Sequence, residues 1–539
     1  MYFVLKTNTI AGRSRILVAD TIAADGIRAL QEFGDVLIRP TITPDELLTT
    51  ISDCVALVVR SRTRVTGPMI EAAKNLRVIG RAGIGTDNID VETASRHGIV
   101  VVNAPTAVAV AAAEHTLALI LAMLRRIPQA HQSVVSGLWE RNRFVGVELR
   151  GKTVGIVGLG NIGAEVARRL AAFEVRIIGS DPFVNAEYAS RIGVELVPLD
   201  QLFQEADLIS VHVPLTASTR GLLNASRFQQ MKSGVRVVNC ARGGIVDEAA
   251  LVEALSTGKV AGAALDVFAQ EPPTNRDLLD AANVVFTPHL GASTEEAQVA
   301  ASVEVAQQII AVLEGHPVRY AVNAPAILPE SLAALGPYIT LGERLGELMS
   351  QLTEQPLNSI EITYAGQIAD MDMTAVKSAV VKGLLEAASP EHVNLVNALL
   401  LARTRGLQIV EARCSTPREN YTNLISLRVP GAGGFIQELA GTVLNQEPHL
   451  LRVDQYRIDV LLADGYLFFV HHFDQPGVVG RIGTLLGKGD VNISAMQVGR
   501  LEPRGEAMMV LAVDEPITPA LYQGILSETP IRAARLVQL

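Results

Sequence analysis

The chain has 539 residues, enough for several domains with separate cores. Its composition, 49% hydrophobic and 19% charged, excludes a disordered polymer. A net charge of −10 argues against nucleic acid as a general partner, and three cysteines (Cys54, Cys240, Cys414) without paired spacing exclude a disulfide framework or a cysteine-built zinc site. No metal is expected, and a reducing cytoplasm fits.

The opening stretch, MYFVLKTNTIAGRSR, has no charged segment before its apolar patch and no small-residue cleavage pattern, so it is not read as a secretory signal. From about Arg15 to Asn103, the apolar runs RILVAD, CVALVV, LRVIGRAG and GIVVVN alternate with helical segments, the pattern of an open parallel sheet. Just past one of these strands, VVRSRTRVTG sets Arg60, Arg62 and Arg64 at alternate positions, on one face if the chain stays extended. Arg81 follows in GRAGIGTDNID, whose glycines, Gly85 among them, permit close backbone approach. Clustered guanidinium groups suit a small-molecule substrate carrying a phosphate and a carboxylate, with solvated surface arginines as the plain alternative. The segment AVAVAAAEHTLALILAML is nearly long enough to span a bilayer. Glu114 and His115 at its middle, and its alanine content, instead indicate a buried helix between domains, and no membrane partner is expected.

A second α/β series begins at Lys152 with TVGIVGLGNIGAEVARRL, which places Gly158, Gly160 and Gly163 between a strand and a helix. The first glycine permits a tight turn, the second lets a pyrophosphate approach the backbone, and the third allows close packing of helix on strand. Asp181 closes the next strand, VRIIGSD, where a carboxylate can accept from ribose hydroxyls and repel a 2′-phosphate, favouring NAD over NADP. Three later segments each follow an apolar strand: NCARGGIVDE offers Arg242, ALDVFAQEPP offers Asp266 and Glu271, and NVVFTPHLGAST offers His289. In an open parallel sheet they converge beyond the carboxyl ends of the strands. Their chemistry suits a 2-hydroxy acid: His289 takes the hydroxyl proton, Glu271 fixes the imidazole, and Arg242 grips the carboxylate. Taken singly, Arg242 has a surface ion-pair partner as its plain alternative, and Glu271 a helix-capping residue before Pro272 and Pro273.

The helical stretch Glu295 to Glu314 is expected to return the chain to the first sheet, and the proline-rich GHPVRYAVNAPAILPE marks a boundary. The next ~130 residues mix helices and strands without a recognisable catalytic motif, and the last ~75 read strand, helix, strand, strand, helix, strand, a ferredoxin-like order.

The motifs GLGNIG, NCARGGIVDE, ALDVFAQEP and TPHLGAST, in this order, resemble those of the D-isomer-specific 2-hydroxyacid dehydrogenases. The likeness is to the long members, which carry an intervening domain and a terminal ACT domain, and it covers essentially the whole chain. It implies an α/β protein with two doubly wound, Rossmann-like parallel-sheet domains, then an α+β intervening regulatory domain and a βαββαβ ACT domain. The implied bounds are 1–107 (completed by about 295–322) for the substrate domain, 108–294 for the NAD domain, 325–462 and 466–539. It implies oxidation of 3-phospho-D-glycerate with NAD, the first step of L-serine synthesis, in a homotetramer. Arg242, Glu271 and His289 become the catalytic set by this resemblance, with cofactor contacts, some through backbone only, at Ile84, Asn161, Ile162, Asp181, Val213, Cys240, Ala241 and Asp266. Arg60, Arg62, Arg81 and Gly85 fall on the substrate side, and Arg141 reaches toward a neighbouring subunit. In HHFDQPGVVGRIGTLLGKGDVNISAMQ, resemblance to an ACT effector loop assigns His472, Asp474 and Asn492 to an L-serine effector. Val108 stands where the family commonly has an asparagine. Two other readings remain open: a reductase for an unphosphorylated 2-oxo acid, and a non-catalytic NAD-sensing interaction protein.

Overall fold

The computed structural model describes residues 14–316, 318–325, 329–353, 357–386, 389, 392–416, 421–429 and 437–539; most of the opening stretch and residues 326–328 of the proline-rich boundary lie outside them. Short β-branched runs build a first, wholly parallel sheet in the order Asp35–Ile38, Arg15–Val18, Ala56–Val59, Val78–Arg81, Val100–Asn103. The strand Ala56–Val59 is buried on both faces, as parallel strands covered by helices must be. The helix Glu295–Leu313 lays Val305, Ala306 and Ile309 into the core of this sheet, far in sequence from the strands it covers.

The second sheet has seven parallel strands in the order Val284–Phe286, Val260–Leu265, Val235–Asn239, Leu208–Val211, Thr153–Val157, Arg176–Ser180, Glu195–Leu196. The sheet turns back on itself at Thr153–Val157, and the glycine loop leaves that central strand, the place where an open sheet parts its loops and receives a ligand. The alanine-rich segment forms the helix Ala109–Leu124, and Ile120, Met123 and Leu124 pack into the core beneath this sheet while Val108 and Ala111 enter the first domain's core. It therefore joins the two halves of the cleft. Among the described residues no helix is long and apolar enough to cross a membrane.

A six-stranded mixed sheet (Gln408–Cys414, Ser359–Gly366, Asn423–Arg428, Glu438–Leu444, Glu447–Val453, Tyr456–Leu461) follows, covered by the helices Pro329–Leu352 and Thr374–Glu386. The last four strands run in the antiparallel order Ile493–Arg500, Glu506–Val513, Tyr466–Phe473, Ile531–Gln538, with the helices Val478–Lys488 and Pro519–Leu526 on one face. The opposite face is not solvent-facing: Leu467, Phe469, Met508, Val510 and Val537 share one buried cluster with Leu345, Leu348 and Ile458 of the preceding unit. Burial of that many large side chains makes the two C-terminal units one packed body.

Candidate active site

The glycine loop has the geometry its sequence demands. Gly158 adopts φ +93°, and a Cβ there would meet the carbonyl oxygen of His212 at 2.6 Å. A Cβ on Gly163 would lie 2.0 Å from the Gly158 carbonyl oxygen, so the helix Asn161–Leu170 packs on the turn only without a side chain. Around Gly160 nothing lies within 4 Å, and this N-cap offers no side-chain bond to the first helical N–H groups, Asn161 and Ile162 included. Open space in front of free N–H groups at a positive dipole end is what a pyrophosphate needs. Asp181 stands beside it, its two carboxylate oxygens accepting from the N–H groups of Leu159 (2.8 Å) and Phe183 (2.9 Å). Those bonds lock the acidic side chain onto the rim of the loop and leave each oxygen a lone pair for a ribose hydroxyl. The residues present fit a dinucleotide without a 2′-phosphate. Val213 lies partly exposed near the same turn, while Cys240 and Ala241 are each 8% exposed, and burial pushes the Cys240 thiol up to about 12. Cys240 is thus an unreactive wall.

At the far strands the structure brings His289 and Glu271 together. His289 Nδ1 lies 2.9 Å from Glu271 Oε2, and the N–H of Phe268 donates to Glu271 Oε1 at 3.2 Å. A carboxylate can only accept, so Nδ1 carries the hydrogen and Nε2 is left to exchange a proton with a ligand. His289 adopts φ +56°, a conformation few side chains take, held because its N–H donates to the Asp266 carbonyl at 2.9 Å. Asp266 itself is fully buried. Its carboxylate accepts from Thr287 Oγ1 (2.6 Å), Leu290 N–H (2.7 Å), Gly291 N–H (2.9 Å) and His115 Nε2 (3.2 Å). Burial pushes its pKa up, but the bonds from His115, Thr287 and Leu290 outweigh that and hold it below the ordinary carboxylate value.

Arg242 reaches from the second sheet to the first. Its Nε donates to Asp87 Oδ2 at 2.9 Å, its Nη1 donates to the Ala241 carbonyl at 2.6 Å, and a Cβ on Gly85 would lie 1.9 Å from its Nη2. Gly85 is therefore required for this guanidinium to lie on the opposite backbone. The neighbouring loop is tied down by Asn103, which donates to the Ile84 carbonyl at 2.6 Å. Arg81 lies alongside with its Nε out of solvent and without a hydrogen-bond partner among the described residues. Burial first, then the charges of Arg242 and Arg60, pull its pKa down to about 10. Like charges held together in a cleft, one of them incompletely bonded, mark a place built for an anion.

The alternating-arginine expectation is corrected. The strand ends at Val59, and the chain then bends around Asp20, which is 2% exposed and accepts from Arg60 N–H (2.6 Å), Arg62 Nε (3.0 Å), Thr63 N–H and Thr63 Oγ1. Arg62 bonds to Asp20 and the Ala19 carbonyl, and of the three alternating arginines it is Arg60 whose charge acts on Arg81 together with that of Arg242. Asp20 and Asp87 are not singled out from sequence, and His115 only as a polar residue that argues against a membrane span. Asp20 was visible as the acidic end of RILVAD, and His115 as a polar residue inside an apolar helix.

The effector trio is not assembled within one chain. Asp474 follows the strand end where Phe473 pairs with Glu506, and Asn492 precedes the end where Ile493 and Tyr466 both pair with Val513. Seven rises of ~3.3 Å from Glu506 to Val513 already separate the two strand ends by roughly 23 Å. Asp474 is bonded to Arg500 (2.7 Å), which holds its carboxyl below the usual range, and Asn492 donates to Asp514 (2.7 Å). His472 is 2% exposed; its Nδ1 donates to the Phe473 carbonyl, and its Nε2 is buried without a partner among the described residues. Arg141 lies exposed in a short turn.

Comparison with known proteins accords with this architecture. Residues 117–291 match the NAD-binding domain of D-isomer specific 2-hydroxyacid dehydrogenases, 334–454 the D-3-phosphoglycerate dehydrogenase intervening domain, and 466–523 the ACT domain. A D-3-phosphoglycerate dehydrogenase of Methanocaldococcus jannaschii is 44% identical over 97% of this chain and 100% of its own. One from Bacillus subtilis is 40% identical over 97% and 99%. Among solved structures, a glyoxylate reductase from Paecilomyes thermophila (TM-score 0.54, 30% identity) covers 59% of this chain and is itself covered over 99%. By these matches, the chain belongs to the D-isomer-specific 2-hydroxyacid dehydrogenases, in the D-3-phosphoglycerate dehydrogenase line.

Proposed function

We propose that the protein oxidises 3-phospho-D-glycerate to 3-phosphohydroxypyruvate with NAD. The observation that carries the phosphorylated substrate is the Arg60–Arg81–Arg242 cluster with its incompletely bonded Arg81. When bound, NAD supplies the hydride acceptor. The chain's own residues do the rest. Gly160, the helix start and Asp181 hold the dinucleotide; Arg242 grips the substrate carboxylate; Arg81 and Arg60 take up the remaining negative charge. His289 Nε2 receives the C2 hydroxyl proton, while Glu271 keeps the imidazole in that tautomer and offsets the positive charge it gains. Steady-state rates with phosphohydroxypyruvate and with hydroxypyruvate test this: equal kcat/KM for the two would remove the role given to the cluster.

The segment Ile127 to Val145 supports a homo-oligomer. Ile127, Val134, Val135, Leu138, Trp139 and Val145 are all at least half exposed, an apolar load that a second copy would cover and beside which Arg141 sits. The opposed positions of Asp474 and Asn492 support an L-serine site formed between two ACT domains, where the end of one chain's sheet meets the other end of its neighbour's. Sedimentation equilibrium and serine titration test these two readings; a monomer, or a monomer that binds serine, would overturn them.

A further inference from the structure

We infer that His115 is a positioning residue for the catalytic loop, registering His289 to the helix that joins the two domains. The inference rests on His289 as the acid–base group. His115 comes from the middle of Ala109–Leu124, 151 residues upstream of Asp266 and 172 upstream of Thr287. Its Nε2 lies 3.2 Å from Asp266 Oδ1 and 3.1 Å from Thr287 Oγ1. Thr287 already gives its proton to Asp266 at 2.6 Å, and a carboxylate only accepts, so Nε2 must be the donor.

The consequence lies in what else Asp266 holds. The same carboxylate receives the N–H groups of Leu290 and Gly291, and its backbone carbonyl receives that of His289. Residues 287–291 are therefore wrapped around one fully buried side chain, and the left-handed turn at His289 is fixed by that wrapping. His115 is the donor in this set that belongs to neither the loop nor its own strand. The helix bearing it is packed into both domain cores. When the cleft changes width, the His115 bond makes the loop follow the helix. A loop tied only to the sheet would not keep His289 in register with Arg242 and the first domain.

The test compares His115→Leu, which keeps the apolar body and removes the donor, with His115→Gln, whose amide places an N–H close to the position of Nε2. In the ligand-free enzyme, amide hydrogen exchange at Leu290 and Gly291 is expected to speed up at least tenfold in the leucine variant and to stay within threefold of wild type in the glutamine variant. With phosphohydroxypyruvate and NADH, kcat is expected to fall tenfold or more in His115→Leu, with NADH affinity within twofold, and to recover in His115→Gln. Unchanged exchange in His115→Leu would overturn the inference, as would equal losses in both variants accompanied by a lowered melting temperature. A parallel His289→Ala variant separates the two readings. If it turned over normally, the acid–base assignment would fail, while the exchange data would still decide what His115 does.

Discussion

Replacing Glu271 by alanine separates the energetic roles of the His289–Glu271 pair. In the free protein the two side chains are 45% and 39% exposed, so water screens them and their bond contributes under about 1 kcal/mol to folding. The melting temperature should barely move. Once a ligand covers the cleft, the bond joins a carboxylate to an imidazole that becomes positive as it takes the proton, and such a charge-assisted bond is worth about 1.5–3 kcal/mol. The same substitution should therefore lower kcat by roughly 10- to 150-fold at saturating NAD and 3-phospho-D-glycerate. Glu271→Gln should be no better. Its amide can satisfy the Phe268 N–H through oxygen only by turning its NH₂ toward Nδ1, which forces the hydrogen onto Nε2 and blocks proton uptake. Stopped-flow and steady-state rates, alongside thermal denaturation, check both variants. A kcat within twofold of wild type, or a loss matched by a comparable loss of stability, would refute the reasoning.

Arg81→Met removes an incompletely bonded charge from beside Arg60 and Arg242, so thermal stability should hold or rise while KM for phosphohydroxypyruvate increases about 30-fold, a loss of ~2 kcal/mol; a destabilised variant with unchanged KM would reassign Arg81 to the fold. Gly160→Ala meets open space and keeps an allowed φ of −69°, so it should fold normally yet weaken NADH binding at least tenfold by titration, whereas Gly163→Ala should lose stability as well; equal NADH affinity in Gly160→Ala would argue against the pyrophosphate position. Asp266 has its pKa depressed in the fold, so its stabilisation is present above the ordinary value of about 3.9 and is lost as pH falls through the lowered one. Asp266→Asn should thus melt well below wild type at pH 7, with the gap narrowing below about pH 4; a constant gap would show that the carboxylate's charge contributes nothing.

What could be read from sequence was whatever depends on local order. The strand–glycine–helix pattern specified Gly158, Gly160 and Gly163 because backbone sterics alone assign their tasks, and Asp181 followed from its place at the next strand end. His289 and Glu271 were legible because parallel strands deliver their loops to one edge. The arginine register was not. An extended chain would have aligned Arg60, Arg62 and Arg64, but Asp20, about 40 residues upstream, gathers the backbone around itself and claims Arg62. The separation of Asp474 from Asn492 was hidden for a related reason. Eighteen residues apart along the chain, they sit at opposite ends of one sheet because a helix intervenes, and only the pairing register reveals it. The shared core of the two C-terminal units was equally out of reach, since Phe469 and Met508 read from sequence as ordinary interior residues of their own domain.

The most direct measurement is the rate of NADH oxidation with phosphohydroxypyruvate beside hydroxypyruvate and 2-oxoglutarate. A phosphate answered by the Arg60–Arg81–Arg242 cluster predicts a kcat/KM advantage on the order of 100-fold for the phosphorylated substrate, from a buried charge contact of about 3 kcal/mol. Comparable kcat/KM on all three would contradict the account and leave the cluster serving a carboxylate alone.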